Sequence, residues 1–162
     1  AHDRIISSVE TCAGQVFFLN GPGGTGKIFM YNTICNMIHS KGWVVLCIAS
    51  SGITALVLYG GCTAHSMFKI PLRPDNTSYC PIAKQGNLAD LIRATTILTT
   101  RLIIWDEITM QHRYAAETVD CMCHDLLNTL DCPFSGITVV FHWGQTPIYP
   151  VSGLCKFWVS NF

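Results

Sequence analysis

A glycine-rich segment holds the residues whose types and spacing point most directly to chemistry. Residues 21–27 read GPGGTGK, directly after the apolar run 15–19 and directly before a helix-like stretch. A glycine bend turns bare backbone N–H groups inward, the following helix points its positive end at the same spot, and Lys27 adds a full charge. The pattern GxxxxGK between a strand and a helix is typical of loops that hold the β- and γ-phosphates of a nucleotide.

The second chemical feature is the acidic pair Asp106-Glu107, which follows the apolar segment 102–105. An aspartate in this position can hold a hydrated Mg²⁺, and its neighbouring glutamate can orient and deprotonate an attacking water. Acids at strand ends also cap helices. The catalytic interpretation of this pair therefore depends on the glycine-rich loop upstream. The sequence thus predicts a site for ATP and Mg²⁺ in which Lys27, Asp106 and Glu107 are catalytic and Asp106 is the metal ligand. The residues expected around the nucleotide are Gly21, Pro22, Gly23, Gly24, Thr25, Gly26, Lys27 and Ile28.

Length and charge limit the classes of protein to consider. The chain has 162 residues, is 49% hydrophobic and carries a formal net charge of zero, which suits one domain with a sizeable core. A self-sufficient nucleic-acid binder usually has a basic surplus, so any such role would rest on local groups or on other parts of a longer protein. There is no signal-peptide pattern and no apolar run of membrane-spanning length. Because the first residue is not Met, we expect an interior fragment.

The nine cysteines predict neither a disulfide framework nor a zinc site. Their number is odd, no secretory signal accompanies them, and a nucleotide-binding loop implies a reducing compartment. The close set Cys121, Cys123 and His124 lacks a CxxC pair, and on a helix these neighbours would point in different directions. We expect reduced thiols that serve as small hydrophobic side chains.

The elements that must position these groups alternate between strands and helices. Apolar runs predict strands at 15–19, 43–49, 102–105 and 137–141, and apolar periodicity predicts helices at 3–10, 28–40, 53–59, 87–94 and 114–130. Prolines and polar residues predict a surface loop over 71–86. Such alternation indicates an α/β fold, a parallel sheet with helices on both faces. Ligands bind at the carboxyl ends of the strands in these sheets, where the loop and the acidic pair both fall.

Four strings in this order resemble the amino-terminal motor domain of the petite-integration-frequency (PIF) type DNA helicases: FFLNGPGGTGK, ASSGITALVLYGGCTAHSMFKIP, LIIWDEITMQHRYAAETVD and CPFSGITVVF. The versions borne in eukaryotic genomes, including those of Helitron-type rolling-circle transposons, are the more similar ones. The resemblance covers residues 1–151 and leaves 152–162 as a divergent tail. It implies a RecA-like P-loop NTPase domain of an ATP-dependent helicase.

The resemblance further implies movement from 5′ to 3′ on single-stranded DNA or at duplex junctions. It also implies roles in DNA damage repair, recombination and telomere maintenance, and residence in the nucleus, or in the mitochondrion as for some relatives. No membrane is expected as a partner, and the oligomeric state is left open.

Four hydroxyl or imidazole side chains fall in segments that the resemblance implies to lie near the DNA backbone. Ser50 and Ser51 follow the second predicted strand, while Thr63 and His65 lie in the string TAHS. Hydroxyls of this kind donate to phosphate oxygens. For the two serines a helix cap or turn is an equally good interpretation. For His65 a hydrogen-bonded core histidine is slightly the better one.

The chain departs from the family pattern at the residue after the loop lysine. A Ser or Thr hydroxyl is expected there as a Mg²⁺ ligand, and this chain has Ile28. Contacts to phosphate from the backbone and from Lys27 do not need that hydroxyl. We therefore expect nucleotide binding to persist with only a weak dependence on Mg²⁺, and hydrolysis to drop.

A second departure follows the last predicted strand, where the family has a GGDxxQ-type segment that senses the γ-phosphate. Without gaps, the aspartate becomes Gly144 and the glutamine becomes Pro147; with a short deletion, Gln145 takes the glutamine position. His142 and Trp143 have no family role that we can assign. The second RecA-like domain and its arginine finger are absent too, so we do not expect this chain alone to unwind DNA.

These departures leave two further interpretations open beside a helicase fragment. One is a catalytically inactive remnant that at most binds nucleotide. The other is a small-molecule kinase with the same loop, which fits less well because the segments WDE and AHS resemble helicases and no substrate lid is evident.

Overall fold

A single parallel sheet forms the centre of the molecule. The computed structural model describes residues 1–21, 24–82, 88–129 and 131–143. Its strands are β1 (Val16–Asn20), β2 (Val44–Ala49), β3 (Cys62–Thr63), β4 (Thr100–Asp106) and β5 (Thr138–Trp143). They lie in the order β1-β5-β4-β2-β3, and every neighbouring pair is parallel. The predicted α/β class is confirmed.

Within the described residues, six helices precede or connect these strands. They are α1 (His2–Glu10), α2 (Lys27–Ser40), α3 (Gly52–Val57), α4 (Ala64–Phe68), α5 (Leu88–Thr99) and α6 (Arg113–Leu127), with single 3₁₀ turns at Ile108–Met110 and Pro133–Gly136. Within the described ranges, none of the helices combines the length and the apolar character needed to cross a bilayer.

The helices cover both faces of the sheet, as the side chains of β4 show. Leu102 and Ile104 pack into one buried cluster with residues of α1 and α2, whereas Ile103 and Trp105 pack into a second cluster with residues of α6. Successive residues of a strand point to opposite faces. A strand buried on both faces is continuously apolar, which is why the run at 102–105 could be recognised from sequence.

The predicted elements differ from the observed ones in four places. β3 and α4 were not predicted as such, and α5 extends to Thr99 rather than ending at 94. α6 begins at Arg113 and ends at Leu127, rather than spanning 114–130. The predicted loop contains neither helix nor strand over its described part, 71–82, and its remainder lies outside the described residues. The predicted tail 152–162 also lies outside them.

The register of the central strands brings three chain segments to one edge. Leu19 of β1 pairs with His142 of β5, and Trp105 of β4 pairs with Phe141 of β5. The segment after β1, the end of β5 and the acids after β4 therefore meet at the carboxyl ends of adjacent strands.

Candidate functional site

An open cleft of about 690 Å³ lies at this edge of the sheet. The glycine-rich segment forms one side of it, while Asp106, Glu107 and His142 lie at the strand ends, and α3 contributes Ile53, Thr54 and Val57. The two chemical features of the sequence thus line the same cavity. Pro22 and Gly23, which were predicted to contact nucleotide, lie outside the described residues.

The backbone of the loop takes the conformation that its glycines allow. Gly24 and Gly26 have φ values of 76° and 79°, in the left-handed region that other residues rarely adopt. Gly26 is also the residue that precedes the first turn of α2. The first N–H groups of α2 have no partner within the helix, and they are directed to the cleft side, where an anion is favoured.

The ammonium group of Lys27 is held inside the loop. Its Nζ donates to the carbonyl oxygen of Gly21 at 2.8 Å and lies 3.5 Å from Thr25 Oγ1. A cation placed among loop N–H groups raises the affinity of the cradle for phosphate oxygens. The geometry is therefore that of a preformed anion-binding loop.

The acidic pair is fixed from both sides by hydrogen bonds. Asp106 is only 5% exposed, and its carbonyl oxygen accepts from Ser50 N at 3.1 Å and Ser50 Oγ at 3.3 Å. The carboxylate of Glu107 accepts from Thr54 Oγ1 at 2.7 Å. Glu107 has φ 54°, so the chain turns sharply at this residue. These contacts tie the acidic pair to the segment that follows β2.

Ser51 connects this arrangement to α3. Its hydroxyl accepts from the backbone N–H of Thr54 at 3.2 Å and lies 2.7 Å from Thr54 Oγ1. Ser51 is therefore the N-cap of α3. Through Thr54, the same cap reaches Glu107. A role of Ser50 or Ser51 in contacting DNA stays a prediction.

His142 and Thr54 are residues of the cleft that sequence reasoning missed. His142 makes the longer connection. Its ring is buried, its Nδ1 bonds to Asp106 Oδ1, and its Nε2 lies 3.5 Å from the carbonyl oxygen of Gly21. One side chain thus spans from the acid of β4 to the loop after β1. The only signal in the sequence was a histidine at the end of an apolar strand.

Tyr31 lies beneath the cleft on α2, one turn after Lys27. Its side chain is buried, its ring is 6.5 Å from that of His142, and its hydroxyl has no hydrogen-bond partner among the described residues. Burial raises the pKa of the Tyr31 phenol, and the nearby charge of Asp106 raises that pKa further. The phenol therefore stays neutral and acts here as a wall of the site.

Thr63 and His65 lie away from the phosphate cleft. The hydroxyl of Thr63 accepts from Ser66 N at 3.2 Å and caps α4. His65 Nδ1 lies 3.4 Å from Gln111 Nε2, and both residues line a separate cavity of about 270 Å³. Contact of Thr63 or His65 with DNA stays a prediction.

Solved structures resemble this fold closely. A crystal structure of Bacteroides Pif1 bound to ssDNA matches with a TM-score of 0.68 at 24% identity, and covers 98% of this chain and 35% of that one. Pif1 from Bacteroides in complex with ADP-AlF3 and ssDNA matches with a TM-score of 0.70 at 24% identity, covering 96% and 35%. Pif1 helicase from Candida albicans matches with a TM-score of 0.65. The RecA-like fold is thereby confirmed.

Curated relatives come from Trypanosoma brucei brucei. Its ATP-dependent DNA helicase PIF1 is 24% identical over 127 residues, 78% of this chain and 12% of that protein. Its ATP-dependent DNA helicase PIF6 is 28% identical over 139 residues, 85% of this chain and 17% of that protein. This chain therefore spans less than a fifth of the length of these relatives.

A model of the family described as PIF1-like helicase matches residues 1–156. That match covers nearly the whole sequence, includes both sides of the cleft, and agrees with the resemblance carried by the motif strings. The chain belongs to the PIF1-like helicase family.

Proposed function

We propose that this chain is part of the amino-terminal motor domain of an ATP-dependent DNA helicase and that its cleft binds the phosphates of ATP. The observation that carries the proposal is the meeting of the glycine loop, Lys27 and the acidic pair in one cavity. Solved Pif1 relatives bound to ADP-AlF3 support a nucleotide as the ligand.

Each described group of the cleft has a chemical task in this proposal. The first N–H groups of α2 and the Lys27 ammonium bind phosphate oxygens. Glu107 accepts a proton from a water that attacks the γ-phosphorus, while the bond from that phosphorus to the β,γ-bridging oxygen breaks. The hydroxyl of Thr54 orients the Glu107 carboxylate for this step.

Unwinding of DNA is proposed for the longer protein rather than for this chain alone. In helicases of this architecture, ATP lies between two RecA-like domains, and the closing of that cleft drives movement. Solved relatives bound to ssDNA and at forked dsDNA support single strands and duplex junctions as partners. Movement from 5′ to 3′ and roles in repair, recombination and telomere maintenance are proposed on the family resemblance.

A direct test replaces the loop lysine. Lys27→Ala should weaken binding of a hydrolysis-resistant ATP analogue by about tenfold or more, since losing a charge-assisted hydrogen bond is worth about 1.5–3 kcal/mol and 1.4 kcal/mol is tenfold. Isothermal titration calorimetry on the chain measures this. Lys41→Ala is the matched control, because Lys41 pairs with Glu10 at the surface. Equal affinity in wild type and Lys27→Ala would contradict the proposal.

A catalytically inactive remnant is the second candidate, and it is favoured by Ile28 and by the contact of His142 with Asp106. Turnover of ATP with single-stranded DNA present separates the two. The remnant predicts binding of nucleotide with turnover no higher than that of Lys27→Ala. The helicase predicts turnover above that background once the remaining domains are present.

A further inference from the structure

The family resemblance implies a Mg²⁺ ion with the nucleotide, and the described donors fit it poorly. Mg²⁺ takes oxygen ligands in a near-octahedral arrangement and keeps several waters. In loops of this type the protein supplies a hydroxyl after the lysine and an aspartate after the neighbouring strand.

The first of the expected donors is replaced by a hydrocarbon. Ile28 lines the cleft, and its side chain is 40% exposed there. An aliphatic group offers no ligand to a metal ion. Because the side chain faces the cleft rather than the core, the cleft presents a hydrocarbon at this position.

The second expected donor is already bonded within the protein. Asp106 Oδ1 accepts from the backbone N–H of Glu107 at 3.1 Å and also bonds to His142 Nδ1. The ring of His142 continues from this carboxylate toward the carbonyl oxygen of Gly21. The imidazole therefore lies between Oδ1 of the acid and the phosphate loop.

Placement on β5 keeps the imidazole there. His142 pairs with Leu19 in the sheet, its side chain is 5% exposed, and the ring of Tyr31 packs against it at 6.5 Å. The imidazole therefore borders the cleft between Asp106 and the ring of Tyr31. The contact is built into the fold.

We infer that in this chain the His142 side chain takes the place of the divalent cation, so that the cleft binds nucleotide phosphates without Mg²⁺. His142 is a positioning residue: it holds Asp106 and spans to the loop. This inference rests on the proposed nucleotide binding, and it names a residue and a metal independence that the family resemblance does not supply.

The test compares affinities with Mg²⁺ and with EDTA in four forms of the chain: wild type, Ile28→Thr, His142→Ala and the double variant. For each form, calorimetry with a hydrolysis-resistant ATP analogue gives the ratio of the affinity in Mg²⁺ to the affinity in EDTA. The wild type should bind equally in both buffers. Ile28→Thr alone should change little because His142 still occupies Asp106. The double variant should bind about tenfold or more tightly with Mg²⁺, since it regains both donors.

The outcomes separate this inference from the proposed function. Binding that requires Mg²⁺ in the wild type, or an Ile28→Thr variant that alone acquires the requirement, would overturn the inference and leave nucleotide binding standing. A failure of every form to bind the analogue in either buffer would overturn the proposed function and the inference with it.

Discussion

At the scale of single residues, Glu107 depends on a partner from another element. The turn at Glu107 has a left-handed backbone, and the carboxylate is met by the hydroxyl of Thr54. A glutamate at the mouth of a cleft otherwise loses about 1.5–2 kcal/mol of rotamer freedom when it is ordered. The hydrogen bond from Thr54 already orders the Glu107 carboxylate. In the proposed hydrolysis, less side-chain entropy therefore remains to be lost when that carboxylate orients a water.

Thr54→Val tests this contact. The variant keeps the shape of the side chain and removes the hydroxyl, which contacts both Glu107 and Ser51. The free energy of unfolding should therefore fall by about 1–3 kcal/mol, because each hydrogen bond has a net worth of about 0.5–1.5 kcal/mol. Urea denaturation measures the change. Thr54→Ser keeps the hydroxyl and should lose clearly less. If the serine variant is destabilised as much as the valine variant, the methyl group rather than the bond to Glu107 holds this position.

At the scale of elements, four of the five described strands were predictable, whereas β3, α4 and the end of α5 were not. Buried parallel strands are continuous apolar runs, and that pattern identified β1, β2, β4 and β5. The last turn of α5 contains several threonines, which disfavour helices in general. Here the hydroxyls of Thr99 and Thr100 donate to backbone carbonyl oxygens one turn earlier, a local solution that spacing does not reveal.

The candidate site also has parts that could be predicted from the sequence and one that could not. The glycine loop and the acidic pair could be recognised because each is a short motif next to a strand. The role of His142 could not, because it depends on β5 lying between β1 and β4. Strand order places residues 19, 106 and 142 side by side, and no local pattern in the sequence encodes that order.

The end of α6 gives a prediction about one element. Asn128 follows the helix with φ 55°, the left-handed conformation in which many helices stop. Asn128→Ala should lower the free energy of unfolding by about 1 kcal/mol, because a Cβ without a compensating polar group is strained there. Asn128→Gly, the matched control, should stay within about 0.5 kcal/mol of wild type. Thermal unfolding of wild type and of the two variants measures these changes. If Asn128→Ala is as stable as wild type, the left-handed conformation at the end of α6 does not require Asn or Gly.

At the scale of the whole molecule, one buried acid links stability to pH. Asp120 lies inside α6, and burial raises the pKa of its carboxyl, with the charge of Glu117 adding to the rise. The N–H of Phe134, which donates to Asp120 Oδ1 at 2.5 Å, and the nearby His124 act in the opposite direction. The folded protein therefore holds this proton more tightly than the unfolded chain does.

The sign of the pH effect follows from that difference. Between the usual carboxyl pKa of 3.8 and the raised value, the native state binds more protons, so stability falls as pH rises through this window. Asp120→Asn keeps an oxygen for Phe134 N–H and removes the titration. It should gain stability relative to wild type as pH rises from 3.8 toward neutrality, measured by denaturation at a series of pH values.

The control for that series is Asp125→Asn, which removes an exposed carboxylate from the same helix. It reports any effect of an Asp-to-Asn change on this helix that does not depend on burial of the side chain. If Asp120→Asn instead loses stability relative to wild type as pH rises, the prediction is wrong. The charged form of Asp120, paired with its neighbours, would then stabilise the fold.

The order of strands in the sheet has a consequence for synthesis. Among the described strands, β5 comes last along the sequence, yet it separates β1 from β4 and is the only neighbour of β1 within the described sheet. While the ribosome is still making residues 138–143, the nascent chain therefore has two unpaired strand edges where a central strand belongs. Such edges attract other chains, so a product that terminates before β5 should aggregate or need a chaperone rather than persist as a smaller folded unit.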